Sequence, residues 1–243
     1  MLRFLVLLLT CVVVSPVGAM TFYTEYNPPM NFKVGGKVSG WATDVVAEMA
    51  KRAGVPAEVV LSLWDEGYAR AKDQADACIY AAARRPERVK LFQWVGPIGR
   101  ARYSAFALEG FSQKLSRVDD LKALRVGVVN DARASYLRQR EFPNLVIVAQ
   151  DEDVPRKLTL DAGRADGVDL WVTRTLGAKQ IAKEAGVGGI KEVFADIYSQ
   201  DYWLACNLQV PQETVRALML ALMEMQKDGT LKKLADPTRF LDK

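Results

Sequence analysis

CIYAAARRPERVKLFQWVGPI, residues Cys78 to Ile98, is the stretch on which the reading of this chain turns. Cys78, Ile79, Tyr80 and Ala81 make a short apolar run that reads as a buried strand. The run empties into three guanidinium groups, Arg84, Arg85 and Arg88, with Pro86 stiffening the turn between them. Arginine is a rigid, permanently charged fork that meets a carboxylate two hydrogen bonds at a time. At the end of a buried strand such a fork suits capture of an acidic small molecule. The competing reading is a solvated loop whose arginines pair with Glu87 or with nothing.

Outward from this segment the chain alternates strand and helix. Upstream, the pattern predicts a strand over Thr21–Tyr26, broken by Asn27-Pro28-Pro29. A helix follows over Thr43–Ala53, closed by Gly54, then a strand at Ala57–Leu61 and a short helix at Asp65–Asp73. Downstream of Gly110 a second unit of the same kind is expected. Its helices are Val118–Leu121, Arg133–Arg140, Pro155–Ala162 and Leu176–Ala185, and its strands Leu124–Val129, Leu145–Ala149 and Val168–Val172. A strand at Gln200–Asn207, an amphipathic helix at Gln212–Lys227 and a last helix near Leu231–Ala235 complete the chain. Strands separated by helices of this length imply parallel pairing in an α/β layer fold. The expected division is residues 1–19 as a signal peptide, 20–107 as lobe 1, 108–197 as lobe 2, and 198–243 returning to lobe 1. Hinge strands are expected near Ser104–Leu108 and Ala195–Tyr202, with a ligand cleft at the carboxyl ends of the strands.

At 243 residues with 50% apolar composition the chain can build two cores. A net charge of +4 with both signs mixed throughout argues against nucleic acid as a partner. Met1-Leu2-Arg3, the apolar run Phe4 to Val14 and the small residues Val17-Gly18-Ala19 have the layout of a secretory signal peptide. Export to the periplasm is therefore expected, and the pair Cys78 and Cys206 reads either as a disulfide or as two buried thiols.

No histidine occurs in the chain, which removes the commonest general base and zinc ligand. Neither a glycine-rich phosphate loop nor a metal-ligand spacing is present, so no cofactor or metal is expected. These absences weigh towards binding rather than catalysis.

Several segments together resemble the bacterial extracellular solute-binding proteins of family 3. They are Thr24-Glu25-Tyr26-Asn27-Pro28-Pro29-Met30-Asn31-Phe32, Gly40-Trp41-Ala42-Thr43-Asp44-Val45-Val46, Arg85-Pro86-Glu87-Arg88 and Phe92-Gln93-Trp94-Val95-Gly96-Pro97-Ile98. The likeness continues through Leu124-Arg125-Val126-Gly127-Val128-Val129, Val168-Asp169-Leu170-Trp171-Val172 and Gln226-Lys227-Asp228-Gly229-Thr230. It implies a two-lobed, type 2 periplasmic-binding fold with a hinge and an interlobe cleft. It also implies a monomer that hands an amino-acid-like, carboxylate-bearing solute to an ABC permease in the inner membrane.

Carried over, the resemblance makes Arg88 the grip on the ligand carboxylate, with Ala81 and Ala83 offering backbone N–H groups just before it. Arg84 would line the cleft. Glu25 and Tyr26 fall in a loop that faces the ligand, and Asp131 and Arg133 fall in the loop and helix start that close over it, Arg133 as a second fork. Trp64 and Tyr68 read either as core or as a stacking surface for the ligand. After Trp171, where such receptors carry an aspartate for the ligand ammonium, this chain has Thr173-Arg174, so an ammonium would need Glu25 or Asp201. A dehydratase of the cyclohexadienyl type on the same fold and an exported sensor without a transporter are the rival readings.

Overall fold

The computed structural model describes residues 19–160 and 164–240. The predicted signal peptide before Ala19, and the end of the helix predicted over Pro155–Ala162, lie outside the described residues.

The first half of the chain folds as β1 (Met20–Thr24), the hairpin β2 (Phe32–Val34) and β3 (Lys37–Ser39), α1 (Trp41–Arg52), β4 (Ala57–Leu61), α2 (Trp64–Asp73) and β5 (Ala77–Ala83). A 3-10 helix over Pro86–Leu91 carries Arg88, and β6 (Gln93–Leu108) follows. Then come β7 (Val126–Val129), α3 (Ala132–Gln139), β8 (Leu145–Val148), α4 (Asp153–Leu158), β9 (Leu170–Arg174) and α5 (Ala178–Glu184). The chain ends through β10 (Ile190–Cys206), α6 (Gln212–Lys227) and α7 (Thr230–Leu234). Eight strands form one curled sheet in the order β4-β1-β5-β10-β6-β9-β7-β8.

Two lobes share that sheet. In the first, β4, β1 and β5 run parallel, as the strand–helix alternation predicts. Every residue of β5 is buried, because both of its faces are covered. Cys78 and Tyr80 pack with α1 and α6, while Ile79 and Ala82 pack against Tyr23, Phe92 and Ala205. In the second lobe β8, β7 and β9 are parallel, with Val126, Val128 and Leu170 in the core on one face and Trp171, Val154 and Ile181 in the core on the other.

Two features depart from the sequence expectation. The residues 93–108 and 190–206 each form one long strand, and the pair runs antiparallel through both lobes. Ser104 to Phe106, expected at the hinge, are held inside the second lobe by pairing with Thr173, Val172 and Trp171 of β9. The crossing stretch is the ladder in which Ser199, Gln200 and Asp201, within the second expected hinge strand, face Arg102, Ala101 and Arg100, just before the first. The second feature is the β2–β3 hairpin, whose turn is Gly35-Gly36 with φ of +56° and +81°, values that cost glycine nothing.

Cys78 and Cys206 are register partners on β5 and β10, and their sulfurs are 2.09 Å apart, a disulfide.

Candidate functional site

Where the two lobes face each other, the first-lobe wall starts at the end of β5. Pairing with β10 slips there, so that Tyr80 and Ala81 together oppose Leu204 alone. Ala81 takes up the slip with φ of +56°, a left-handed value rare for a residue with a side chain. A bulge of this kind re-aims the backbone where it occurs. Ala81 and Ala83 are both buried, and the Arg85 N–H donates to the Ala83 carbonyl at 3.1 Å, turning the chain into the 3-10 helix.

The three arginines of this segment then separate in role. Arg84 is exposed and lies over the rings of Trp203 (5.0 Å) and Trp94 (6.0 Å). Arg85 pairs with Glu87 at 3.5 Å. Arg88 is half-buried over Trp64 and Tyr68, at 5.1 Å and 5.2 Å from the ring centroids. Burial, with the neighbouring Arg85 charge, lowers its pKa from the ordinary value. No carboxylate pairs with it among the described residues. Trp64 and Tyr68 therefore combine the two readings, because they cover the core around Phe92 and Ala71 and also carry the guanidinium.

The second-lobe wall is closely wired. Asp131 caps α3 by accepting from the Arg133 N–H at 2.7 Å. The Arg133 guanidinium is buried and commits Nε and Nη2 to Asp131 (2.7 to 3.0 Å) and Nη1 to Asp151 (2.6 Å) and the Thr173 hydroxyl (3.1 Å). Asp151 also accepts from the Trp171 indole at 3.0 Å, from Thr173 at 3.1 Å and from Arg174 at 3.4 Å. Burial alone would push the Asp151 carboxyl up, but Arg133 and Arg174 hold it below its usual range. Next to this cluster Tyr103 stacks on Tyr198 at 4.4 Å, Tyr198 on Tyr136 at 4.3 Å, and the Tyr103 and Tyr202 hydroxyls are hydrogen-bonded.

Glu25 lies between the walls, feeling Arg174, Asp131, Arg133 and Asp151 of the second lobe and exerting its own field on Arg88 of the first. Burial pushes its carboxyl up to about 7, an effect that Arg174 partly offsets. The lobes touch beside it. The Tyr26 hydroxyl donates to Glu184 of α5 at 2.7 Å. Gly177, the residue before α5, comes so near Pro28 that a Cβ there would lie 2.4 Å from the Pro28 carbonyl oxygen. A cavity of about 250 Å³ opens at this junction, lined by Tyr26, Pro28, Asp151, Glu152, Arg174 and Glu184 among others. Arg88 is not part of that lining, so the cavity is not the arginine's own pocket.

The structure thus gathers Glu25, Tyr26, Asp131 and Arg133 at the lobe junction, with Arg88 coupled to them through Glu25. Arg84 is set apart on its tryptophans. Asp201 is not at this junction: Arg100 grips it at 2.5 and 3.0 Å beside an open groove that reaches α6 and α7. Asp151 carries the second-lobe network and has no counterpart among the sequence expectations. Its one signal is position, in the acidic run Asp151-Glu152-Asp153 just past the carboxyl end of a parallel strand. Among the described residues no group of His, Cys, Asp and Glu is arranged to hold a metal.

Comparison with known proteins places this geometry. The model of the bacterial extracellular solute-binding proteins, family 3, matches residues 20–237. The L-cystine-binding protein TcyJ of Escherichia coli (strain K12) is 26% identical over 212 residues, covering 86% of this chain and 77% of that protein. A histidine kinase sensor domain with similarity to periplasmic binding proteins superposes with a TM-score of 0.76 at 20% identity, over 89% of this chain and 94% of its own. An ancestral arginine-binding protein bound to arginine superposes with a TM-score of 0.72 at 24% identity, over 89% and 96%.

Proposed function

The chain belongs to the bacterial extracellular solute-binding proteins, family 3, and from that premise we propose that it captures a small, amino-acid-like solute by its carboxylate in the cleft between its lobes. Arg88 is the grip. The observation that carries this reading is the state of that side chain: half-buried, flanked by two aromatic faces, and without an acid partner among the described residues. A desolvated guanidinium is costly to leave unpaired, and a carboxylate arriving in its fork recovers charge-assisted bonds. Arg85, at the N-cap of the same 3-10 helix, has Glu87 and does not need one.

The left-handed Ala81 supports the same reading, because the bulge it makes turns backbone groups out of the sheet ladder just before the arginines. Ligand bridging the walls favours the form in which Tyr26 meets Glu184 and Pro28 meets Gly177, by its differential affinity for that form. The crossing ladder of β6 and β10 is the element that flexes. Export through the N-terminal signal to the periplasm, and delivery to an ABC permease, complete the proposal. The cystine-binding relative is a binding protein, which favours this over turnover on the same fold.

Thermal-shift screening of the mature chain against amino acids and related acids tests the proposal, because binding raises the melting temperature by mass action. Arg88→Ala is expected to weaken a carboxylate ligand by about 10- to 100-fold. A variant that responds as fully as the unmodified chain sinks the assignment, and conversion of a bound compound to product would move the protein to the enzyme class.

A further inference from the structure

Resting on the reading of the cleft as a carboxylate site, we infer that Arg174 is a second anion-binding point, on the wall opposite Arg88, so that the ligand carries an acidic group at each end. The ligand class is a dicarboxylate, or an amino acid with an acidic distal end.

Hydrogen-bond accounting on the second-lobe wall leads there. Arg133, the second fork expected from sequence, has four of its five N–H donors committed, to Asp131 through Nε and Nη2 and to Asp151 and Thr173 through Nη1. Asp151 is heavily committed, Oδ2 accepting from Arg133, Arg174 and Thr173 and Oδ1 from the Trp171 indole, which leaves capacity on Oδ1 alone. Arg174 is different. It closes β9 at its carboxyl end, is 6% exposed and lines the interlobe cavity. Of its five N–H donors only one on Nη2 has an acceptor among the described residues, at a long 3.4 Å, and Nε is buried with none. A buried donor without an acceptor is costly, so an incoming acceptor is favoured at this point.

Acids outnumber bases around the cavity, Asp151, Glu152 and Glu184 against Arg156 and Arg174, so the preference comes from donor capacity rather than net charge. A carboxylate supplies the acceptors that are missing, whereas an ammonium would face a guanidinium and an aspartate already bonded to four donors. Burial raises the carboxyl of Glu25, which lies between the two arginines, to about 7, so near neutral pH it opposes a second anion less than an ordinary carboxylate would. The place where an acid would hold an ammonium thus has a cation with donors to spare.

Isothermal titration of the mature chain tests this with glutarate and L-glutamate as two-ended acids, butyrate and L-leucine as one-ended ones, and L-arginine as a basic competitor. The two-ended acids are expected to bind at least tenfold tighter than the one-ended ones. Arg174→Gln is expected to erase that margin and leave one-ended binding unchanged. Arg174→Lys keeps the charge without the fork and should retain part of the margin, which keeps the test open where the Gln variant fails to fold. Preference of the unmodified chain for L-arginine, or an unchanged margin in either variant, overturns the inference. One-ended acids binding through Arg88 with no margin at all would sink Arg174 alone, and no binding by any probe would sink the carboxylate reading with it.

Discussion

The two walls of the cleft solve opposite problems with the same side chain. On the first lobe Arg88 rests on Trp64 and Tyr68 and keeps its donors unspent. On the second Arg133 is locked between two aspartates and a threonine. An arginine whose bonds are all internal specifies structure, because removing any partner strands a buried charge. An arginine whose bonds are unmade specifies a ligand. The difference shows that a guanidinium near a cleft cannot be assigned a role from its presence, only from what already occupies its fork.

Substitution at Asp151 should break this contrast most visibly. Asp151→Ala leaves Arg133 and Arg174 without their shared acid, and a loss of about 3–5 kcal/mol in urea unfolding is expected. Arg88→Ala, by comparison, should cost no more than about 1 kcal/mol, the cation–π contacts with Trp64 and Tyr68 being the only side-chain ties of Arg88 among the described residues. Equal losses for the two variants would remove the distinction between wired and open walls.

Glu25 sharpens the comparison through pH. Its carboxyl titrates near 4.5 when unperturbed and at about 7 in the fold, so between those values the folded chain keeps a proton that the unfolded chain has released. Stability should therefore fall as pH rises through that window, by about 1–3 kcal/mol from this group after allowance for its partial exposure. Glu25→Gln should flatten that part of the profile. An identical slope in the variant would mean that other groups carry the titration.

A further effect is expected where the walls touch. Gly177→Ala places a Cβ 2.4 Å from the Pro28 carbonyl oxygen on a residue with φ of +99°. About 1 kcal/mol of stability should be lost, and ligand affinity should drop several-fold because the lobes cannot meet. Undiminished affinity in titration calorimetry would show that ligand capture does not need this contact.

Much of the fold was legible because its signals are local. Helix α6 follows from apolar residues at Val215, Leu218, Leu222 and Met225, and β4 from its β-branched run before a loop. The long strands β6 and β10 escaped because Gly96, Pro97 and Gly99 interrupt the apolar pattern of one. The polar residues Asp196, Ser199 and Gln200 do the same for the other, where the ladder leaves both cores and crosses between lobes. The hairpin of β2 and β3 is too short and too exposed to show a period. Arg88 could be singled out from its segment. Asp151 could not, since its partners Arg133, Trp171 and Thr173 are 18 to 22 residues away and meet it only through the parallel order of β7, β8 and β9.

The sheet order has a consequence for how the molecule comes into being. The strand that joins β5 to β6 in the first lobe is β10, the last strand in the chain. Until Trp203 to Cys206 have arrived, β5 and the start of β6 have no neighbour between them, and Cys78 has no opposite number. The strands of the second lobe, β7 to β9, are all made before that point. During synthesis or emergence from a membrane pore, the lobe that lies in the middle of the chain can be finished first, while the lobe bearing Arg88 waits for nearly the whole polypeptide.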